Sequence, residues 1–346
     1  MRIFNTIPQN DLRNSIKAAA RCEDEGYDGI ITLENRHDPF LPLAAVASHT
    51  KKIELATGVA IAFLRSPMST ANIGWDLNVA SQGRFVLGLG PQIKAHNEKR
   101  FSVPWGPPVS RMREYVKSLR AIWSCWKNGE NLKFSGQHYQ FSLMPPNFVP
   151  EHSPYPLPPI TLAAVGPQML RVAGEVADGV KLHPFCTRKY LEEFVVPNLE
   201  QGLIRGKRNR ENFEISGGCF LATGETDQAV DKMASWVRYR IGFYASTPAY
   251  WPVLEIEGFP GLGPRLNALT KQGQWDKLAE EVPDELLHAC CVIGRYDQIK
   301  NIIQKRFEGI TDTLLASASY EHPAELPPDL VCEIKDIPVL FKHFST

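Results

Sequence analysis

The sequence predicts an α/β fold, a single (β/α)8 TIM barrel with insertions, and three observations indicate it. Eight short apolar segments alternate with segments of helical periodicity along most of the chain. The length of 346 residues is typical of one large barrel with insertions. An open doubly wound sheet, the main alternative, normally carries a glycine fingerprint after its first strand, whereas I-P-Q-N-D follows the first strand here.

The first half of the chain contains four strand–helix units. Residues 2–6 form the first predicted strand, and Asp11 caps a helix that Gly26 ends. The apolar, β-branched run at 27–33 is typical of a buried parallel strand. The remaining strands are predicted at 53–59 and 85–89, and the remaining helices at 39–50, 70–81 and 110–126.

The second half resumes the same alternation. Residues 160–165 form the fifth predicted strand, and Pro167 begins its helix at the position that proline favours. Later strands are predicted at 179–182, 214–222 and 312–316, and later helices at 187–208, after Thr226 and at 297–306. Insertions are predicted at about 91–109, 127–159 (with a hairpin at 132–141) and 244–288. All of these segments belong to one predicted domain, residues 1–346.

Composition excludes several classes of function. Lys plus Arg and Asp plus Glu both number 38, so no basic field exists to hold nucleic acid or an anionic membrane. No apolar run is long enough to span a bilayer, and the N-terminus becomes polar too soon for a signal peptide. The seven cysteines are scattered and form no C-x-x-C, which predicts free thiols and a cytoplasmic location.

The carboxyl ends of the strands hold the active site in such a barrel, and this rule selects candidate residues. The loop E-N-R-H-D after the second strand places Glu34 near His37, which suits orienting or protonating a ligand; the alternative is a solvated turn that caps the next helix. Gly166 precedes a helix N-terminus, whose amides bind phosphate, and Thr187 and Arg188 follow the sixth strand. Plain helix capping and surface charge are the alternative reading of these residues.

Two other classes of catalytic site lack their sequence signals. The nine histidines form no H-x-H or H-x-x-x-H pair, so we predict no metal site. No G-x-S-x-G motif occurs, so we predict no serine nucleophile at a strand–helix turn.

Several longer motifs resemble one known family. In chain order they are A-T-G-V-A-I-A-F-L-R-S-P, S-Q-G-R-F-V-L-G-L-G, R-M-R-E-Y-V-K-S-L-R-A-I-W, A-G-E-V-A-D-G-V, and C-V-I-G-R-Y-D-Q-I-K-N-I-I, the last matched to a late helix. Together they resemble the bacterial-luciferase-like superfamily over nearly the whole chain. E-N-R-H-D-P-F-L-P-L, F-S-V-P-W and F-Y-A-S-T-P-A-Y-W-P-V-L resemble a subgroup of coenzyme F420-dependent oxidoreductases.

The resemblance implies a flavin or deazaflavin at the mouth of the barrel, with coenzyme F420 indicated by the subgroup and FMN as the alternative. It also implies a cis peptide bond between Gly58 and Val59, behind the ring. The matching cofactor contacts are Thr57, Gly58, Val59, Gln92, Ala164, Gly166, Pro167, Thr187 and Arg188. Asn35 and Pro91 stand where related sugar-phosphate-oxidising enzymes carry histidine and glutamate, so their substrate is not carried over.

We therefore expect an oxidoreductase that transfers a hydride between coenzyme F420 and an unknown small organic substrate. His37, His183 and Glu34 are the candidate catalytic residues, with His37 or His183 moving a proton beside the hydride centre. Phe101, Trp105 and Tyr250 are expected to wall the substrate cavity. The alternatives are an FMN-dependent monooxygenase, a non-catalytic flavin-binding relative and a metal-dependent barrel hydrolase. A homodimer is expected, because barrels of this kind often pair through helices near strands two to four.

Overall fold

A computed structural model describes residues 1–317 and 325–344, and it confirms the predicted barrel. Eight parallel strands pair in sequence order, and the ring closes because the first strand pairs with both the second and the eighth. The strands are β1 Arg2–Thr6, β2 Gly29–Thr32, β3 Glu54–Thr57, β4 Phe85–Gly90, β5 Ile160–Ala163, β6 Gly179–Leu182, β7 Glu214–Gly217 and β8 Thr313–Leu315. All eight carboxyl ends therefore lie at one end of the barrel.

Helices surround the barrel and occupy the insertions. They are α1 Leu12–Asp24, α2 Phe40–Ala47, α3 Pro67–Ala80, α4 Pro108–Asn128, α5 Pro167–Val176, α6 in the consecutive segments Arg188–Tyr190, Leu191–Val195 (π-helical) and Val196–Gly206, α7 Asp227–Ala245, α8 Trp251–Ile256, α9 Leu262–Lys271, α10 Asp284–Cys290, α11 Tyr296–Phe307 and α12 Pro328–Lys335. Asp11 and Thr226 cap α1 and α7 through their side chains, as predicted. The predicted hairpin is present as the antiparallel pair Phe134–Ser135 and Gln140–Phe141.

Two segments differ from the prediction. The strand expected at 214–222 is split, because Gly217 and Gly218 take φ angles of 87° and 98° and turn the chain out of the barrel. The continuation, Phe220–Gly224, pairs in parallel with Cys291–Arg295 outside the ring. The assignment of C-V-I-G-R to a late helix is therefore wrong, since these five residues form a strand and the helix begins at Tyr296.

Charged and aromatic side chains fill the amino-terminal half of the barrel interior. The Arg2 guanidinium forms ion pairs with Glu54 and with Glu214, the latter at 2.7 Å. Above it the Phe4 ring packs where β2 has no side chain, since a Cβ at Gly29 would lie 2.3 Å from Phe4 Cζ. This packing closes the barrel floor and leaves the carboxyl end open.

The seven cysteines are free thiols, as the sequence predicts. Six are buried and Cys332, on α12, is exposed. Burial raises the pKa of the Cys22 thiol to about 11 and that of Cys219 to about 12. Among the described residues, no helix combines the length and the apolar character needed to cross a membrane.

Candidate functional site

A cavity of about 930 Å³ opens at the carboxyl ends of the strands. Residues at or just beyond the ends of all eight strands contribute to its wall, which is largely apolar. The volume lies within the range of small-molecule sites, which are concave and mainly hydrophobic with a few placed polar groups. The fold thus brings the predicted strand-end loops around one cavity.

The end of β3 forms one side of this cavity. The peptide bond between Gly58 and Val59 is cis, as the family resemblance implies, and both residues line the cavity. Thr57, just before them, is buried, and its hydroxyl donates to Gly88 O at 2.6 Å and accepts from Gly88 N at 2.9 Å. Thr57 therefore fixes β3 to β4, and it lies outside the cavity wall.

The close approach of β3 and β4 explains why G-L-G ends the fourth strand. A Cβ at Gly88 would lie 1.9 Å from Thr57 O, and one at Gly90 would lie 2.7 Å from Val59 Cγ2. Side chains at either position would push the end of β3 away from the barrel. The two glycines thus position the Gly58–Val59 segment within the cavity wall.

The loop after β2 contains Glu34 and His37, which the sequence placed near each other, but the structure gives them different surroundings. Glu34 lines the cavity, and its carboxylate accepts from Arg65 Nη1 and Nη2 at 2.9 and 2.7 Å and from Ile61 N at 2.5 Å. His37 is exposed and lies outside the cavity wall. Asp38, in the same loop, caps the start of α2 by accepting from Phe40 N at 2.8 Å. Arg65 thus anchors the loop, and both carboxylate oxygens of Glu34 accept hydrogen bonds within the protein.

His183 lies just beyond β6 and faces the cavity among aromatic rings. Its ring centroid is 4.1 Å from that of Tyr244 and 4.7 Å from that of Tyr250. Burial, together with the Arg240 cation, lowers the pKa of His183 to about 3, so the imidazole is neutral near pH 7. Nδ1 accepts the Phe185 N–H at 3.0 Å, which leaves the proton on Nε2.

The N-terminus of α5 forms a further part of the wall. Gly166 is the N-cap residue and supplies no side-chain cap, and a Cβ added there would meet no atom within 4 Å. Ala164, Gly166 and Pro167 all line the cavity, as does Gln92 beyond β4. The free amide groups of this first helical turn are suited to an anionic group such as phosphate.

Thr187 and Arg188 lie outside the cavity wall. Thr187 is buried and caps α6 by accepting from Tyr190 N at 3.0 Å. The Arg188 guanidinium donates to Lys305 O and Arg306 O, both at 2.9 Å, at the carboxyl end of α11. Both side chains thus serve the packing of α6 in this structure.

Sequence reasoning missed several cavity residues. Trp105 and Tyr250 line the cavity as expected, whereas Phe101 does not. Lys181, Ser216 and Tyr244 also line it and were not among the candidates. Lys181 could have been selected as a candidate from the sequence, because a lysine inside the apolar strand G-V-K-L indicates more than a structural role. In residues 1–317 and 325–344, no group of three His, Cys, Asp or Glu side chains is placed to hold a metal ion.

Known proteins are similar to this chain over most of its length. The model of the luciferase-like monooxygenase family matches residues 3–313. An uncharacterised protein of Mycobacterium tuberculosis (strain ATCC 25618 / H37Rv) is 46% identical over 315 residues, covering 91% of this chain and 92% of that protein. The 5,10-methylenetetrahydromethanopterin reductase of Archaeoglobus fulgidus is 29% identical over 86% of this chain and 87% of its own.

Solved structures share the fold. The coenzyme F420-dependent tetrahydromethanopterin reductase of Methanopyrus kandleri superposes with a TM-score of 0.76 at 18% identity, over 97% of each chain. The oxygenating constituent of 3,6-diketocamphane monooxygenase of Pseudomonas putida, in complex with FMN, gives a TM-score of 0.67 at 18% identity, over 99% of each chain. Both likenesses support the closed barrel described above.

Proposed function

The chain belongs to the luciferase-like monooxygenase family, and from that premise we propose that it is an oxidoreductase using a deazaflavin, coenzyme F420. The reaction we propose is hydride transfer between this cofactor and a small organic substrate. When bound, the cofactor supplies the electrons, while the protein supplies binding, orientation and electrostatics.

The observation that carries the proposal is the large cavity with an uncapped helix N-terminus in its wall. Its volume of about 930 Å³ suffices for a flat tricyclic ring beside a small substrate. The apolar wall at Gly58 and Val59 suits a ring face, and the α5 amides near Gly166 suit the phosphate that such cofactors carry. The residues present therefore fit this class of cofactor.

The polar residues of the cavity have separable roles in this proposal. His183 is neutral with its proton on Nε2, so it donates a hydrogen bond to a substrate oxygen and does not supply a cationic acid. Glu34 holds the loop after β2 through Arg65 and is a positioning residue. We assign no proton transfer to His37, which is exposed outside the wall.

The direct test is equilibrium binding of the purified protein to coenzyme F420 and, separately, to FMN. We expect micromolar or tighter binding of coenzyme F420 and at least tenfold weaker binding of FMN. Calorimetry gives both affinities without any knowledge of the substrate. Tight FMN binding with no affinity for coenzyme F420 would replace the proposed cofactor, and absence of binding to both would reject the proposed function.

The variant Gly166→Asp tests the phosphate contact at α5. An aspartate is a favourable N-cap residue, so it preserves the helix, but its charge and its hydrogen bond to the first-turn amides oppose an anion. We expect at least a tenfold loss of cofactor affinity with no loss of thermal stability. Gly166→Ala is the matched control, because its Cβ meets nothing within 4 Å, and it should bind like the wild type.

An FMN-dependent monooxygenase is the alternative, favoured by the shared fold with the FMN-bound oxygenating constituent. A non-catalytic flavin-binding protein is a further alternative, and measurements of cofactor affinity alone do not distinguish it from an enzyme. Consumption of oxygen by the reduced, FMN-loaded protein would support the first alternative. Cofactor binding without turnover of any substrate would support the second.

A further inference from the structure

Lys181 carries a buried amine at the floor of the cavity. It is the third residue of β6, is 9% exposed and lines the cavity. In the described part of the chain its Nζ has neither a hydrogen bond nor an ion pair, and the centroid of the Phe4 ring lies 5.9 Å from it. Burying a charge without a partner is costly, so such a residue calls for an explanation.

The charges beneath Lys181 do not provide that partner. Glu214 accepts from Arg2 at 2.7 Å and from Thr313 Oγ1 at 2.5 Å, and Glu54 is paired with the same arginine. The two carboxylates act on Lys181 only through longer-range attraction, and burial lowers the pKa of its amine. The barrel floor therefore presents an unpaired amine to the cavity above it, and an anionic ligand at that position would favour its protonated form.

Lys181 also lies close to the segment that we assign to the cofactor ring. The position that a Cβ on Gly88 would take is 3.0 Å from Lys181 Cε and 1.9 Å from Thr57 O, so these two atoms are neighbours. Thr57 immediately precedes Gly58 and Val59 in the cavity wall. The absence of a side chain at Gly88 thus leaves the lysine stem space to reach the end of β3.

We propose that the Lys181 ammonium is the counter-charge for the negative charge that the flavin-type ring acquires when it is reduced by hydride transfer. The inference rests on the proposed function and deepens it. A hydride carries one proton and two electrons, so its arrival adds one hydrogen atom and one negative charge to the ring. The ammonium of Lys181 balances that charge at the cavity floor, and no further proton has to be delivered to the ring.

The physical consequence is a difference in affinity between the two oxidation states. A cation in a water-poor cavity interacts more strongly with a neighbouring charge than it would in water. Lys181 should therefore stabilise the reduced cofactor more than the oxidised one, and this preference raises the reduction potential of the bound cofactor by linkage. Charge near the ring nitrogens is a known way in which proteins tune such cofactors.

The experiment compares the affinities of oxidised and reduced coenzyme F420 for four proteins, under anaerobic conditions. The proteins are the wild type, Lys181→Met, Lys181→Arg and the control Lys17→Met. Lys17 is exposed on α1 and lies outside the cavity wall, so its removal changes the overall charge equally without touching the site. Thermal unfolding establishes that each variant is folded, and Lys181→Gln replaces Lys181→Met if the latter is not.

We expect Lys181→Met to weaken binding of the reduced cofactor at least tenfold relative to the oxidised form. For a two-electron couple this tenfold change corresponds to a potential about 30 mV lower. Lys181→Arg and Lys17→Met should keep the wild-type ratio within about threefold, which corresponds to about 0.65 kcal/mol.

Three outcomes would overturn the inference in distinguishable ways. An unchanged ratio in Lys181→Met would remove Lys181 from any role in reduction while leaving the proposed cofactor intact. Equal weakening of both oxidation states would make Lys181 a plain contact for an anionic group of the ligand. If the wild type binds neither coenzyme F420 nor FMN, the proposed function fails first and this inference fails with it.

Discussion

At the scale of single residues, His183 is held by contacts that run from α7 into the cavity. Arg240 donates to the Tyr244 hydroxyl, and the Tyr244 ring meets the His183 ring edge-on at 4.1 Å. The imidazole is therefore enclosed on the side of α7 and near a positive charge. Both conditions favour the neutral form, in contrast to an ordinary surface histidine.

The neutral state of His183 makes the stability of the protein depend on pH. Its pKa is about 3 in the folded protein and near 6.5 in the unfolded chain, so between these values the unfolded state binds more protons. Stability should consequently fall as the pH decreases from about 6.5 towards 3. In chemical denaturation, His183→Gln should lose less stability than the wild type between pH 7.5 and pH 5.

A surface histidine provides the control for this comparison. His152→Gln, at an exposed position, should retain the wild-type dependence on pH. Equal losses of stability for wild type and His183→Gln would contradict a neutral, enclosed imidazole.

The sequence located most of the predicted site residues at the cavity, but it did not indicate their bonding partners. Eight of the predicted site residues lie in the cavity wall, because strand ends can be read from hydrophobic periodicity. The engagement of Glu34 with Arg65 could not be read in this way, since the two are 31 residues apart and meet only after β3 returns. The burial of Thr187 is likewise a consequence of how α6 packs.

At the scale of elements, α5 and α6 cross with their backbones in close approach. A Cβ on Gly202 would lie 2.2 Å from Arg171 O, and one on Gly174 would lie 2.4 Å from Leu199 O. Glycines on both helices therefore allow the contact. This crossing supports the helix whose N-terminus lines the cavity at Gly166.

The substitution Gly202→Ala should reverse the usual effect of alanine in a helix. Alanine normally stabilises a helix by up to about 1 kcal/mol relative to glycine. Here its methyl group would overlap a backbone carbonyl, so we expect a loss of about 1–3 kcal/mol in the free energy of unfolding, measured in urea. Gly106→Ala is the control, because its Cβ meets nothing within 4 Å, and it should leave the free energy of unfolding unchanged. An increase in the free energy of unfolding for Gly202→Ala would show that the two helices can separate at no cost.

Most elements could be predicted, and the exceptions share a cause. The strand Cys291–Arg295 was missed because a short apolar run reads equally well as the start of the following helix. It becomes a strand by pairing with Phe220–Gly224, which itself leaves the barrel at Gly217 and Gly218. Pairing partners outside the ring depend on tertiary context that local periodicity does not contain.

At the scale of the whole molecule, the closed barrel determines where a ligand can enter. The sequential order of parallel strands followed from the alternation of strands and helices and from the handedness of their connections. The position of the cavity then followed from the fold class. The filling of the floor by Arg2, Glu54 and Glu214 did not, because these residues are distant in sequence and converge only when the ring closes. The homodimer and the cytoplasmic location stay predictions.

The distribution of the thiols allows the accessible cysteines of the native protein to be counted with a chemical reagent. Six of the seven cysteines are buried, so a thiol-reactive dye should modify one equivalent per native chain, at Cys332, and seven in denaturant. Cys332→Ser should reduce the native count to zero. More than one fast equivalent in the wild type would indicate local opening of the core. A single fluorophore on α12 would then label the protein at the amino-terminal end of the barrel, where Met1 N donates to Lys335 O, without occupying the cavity.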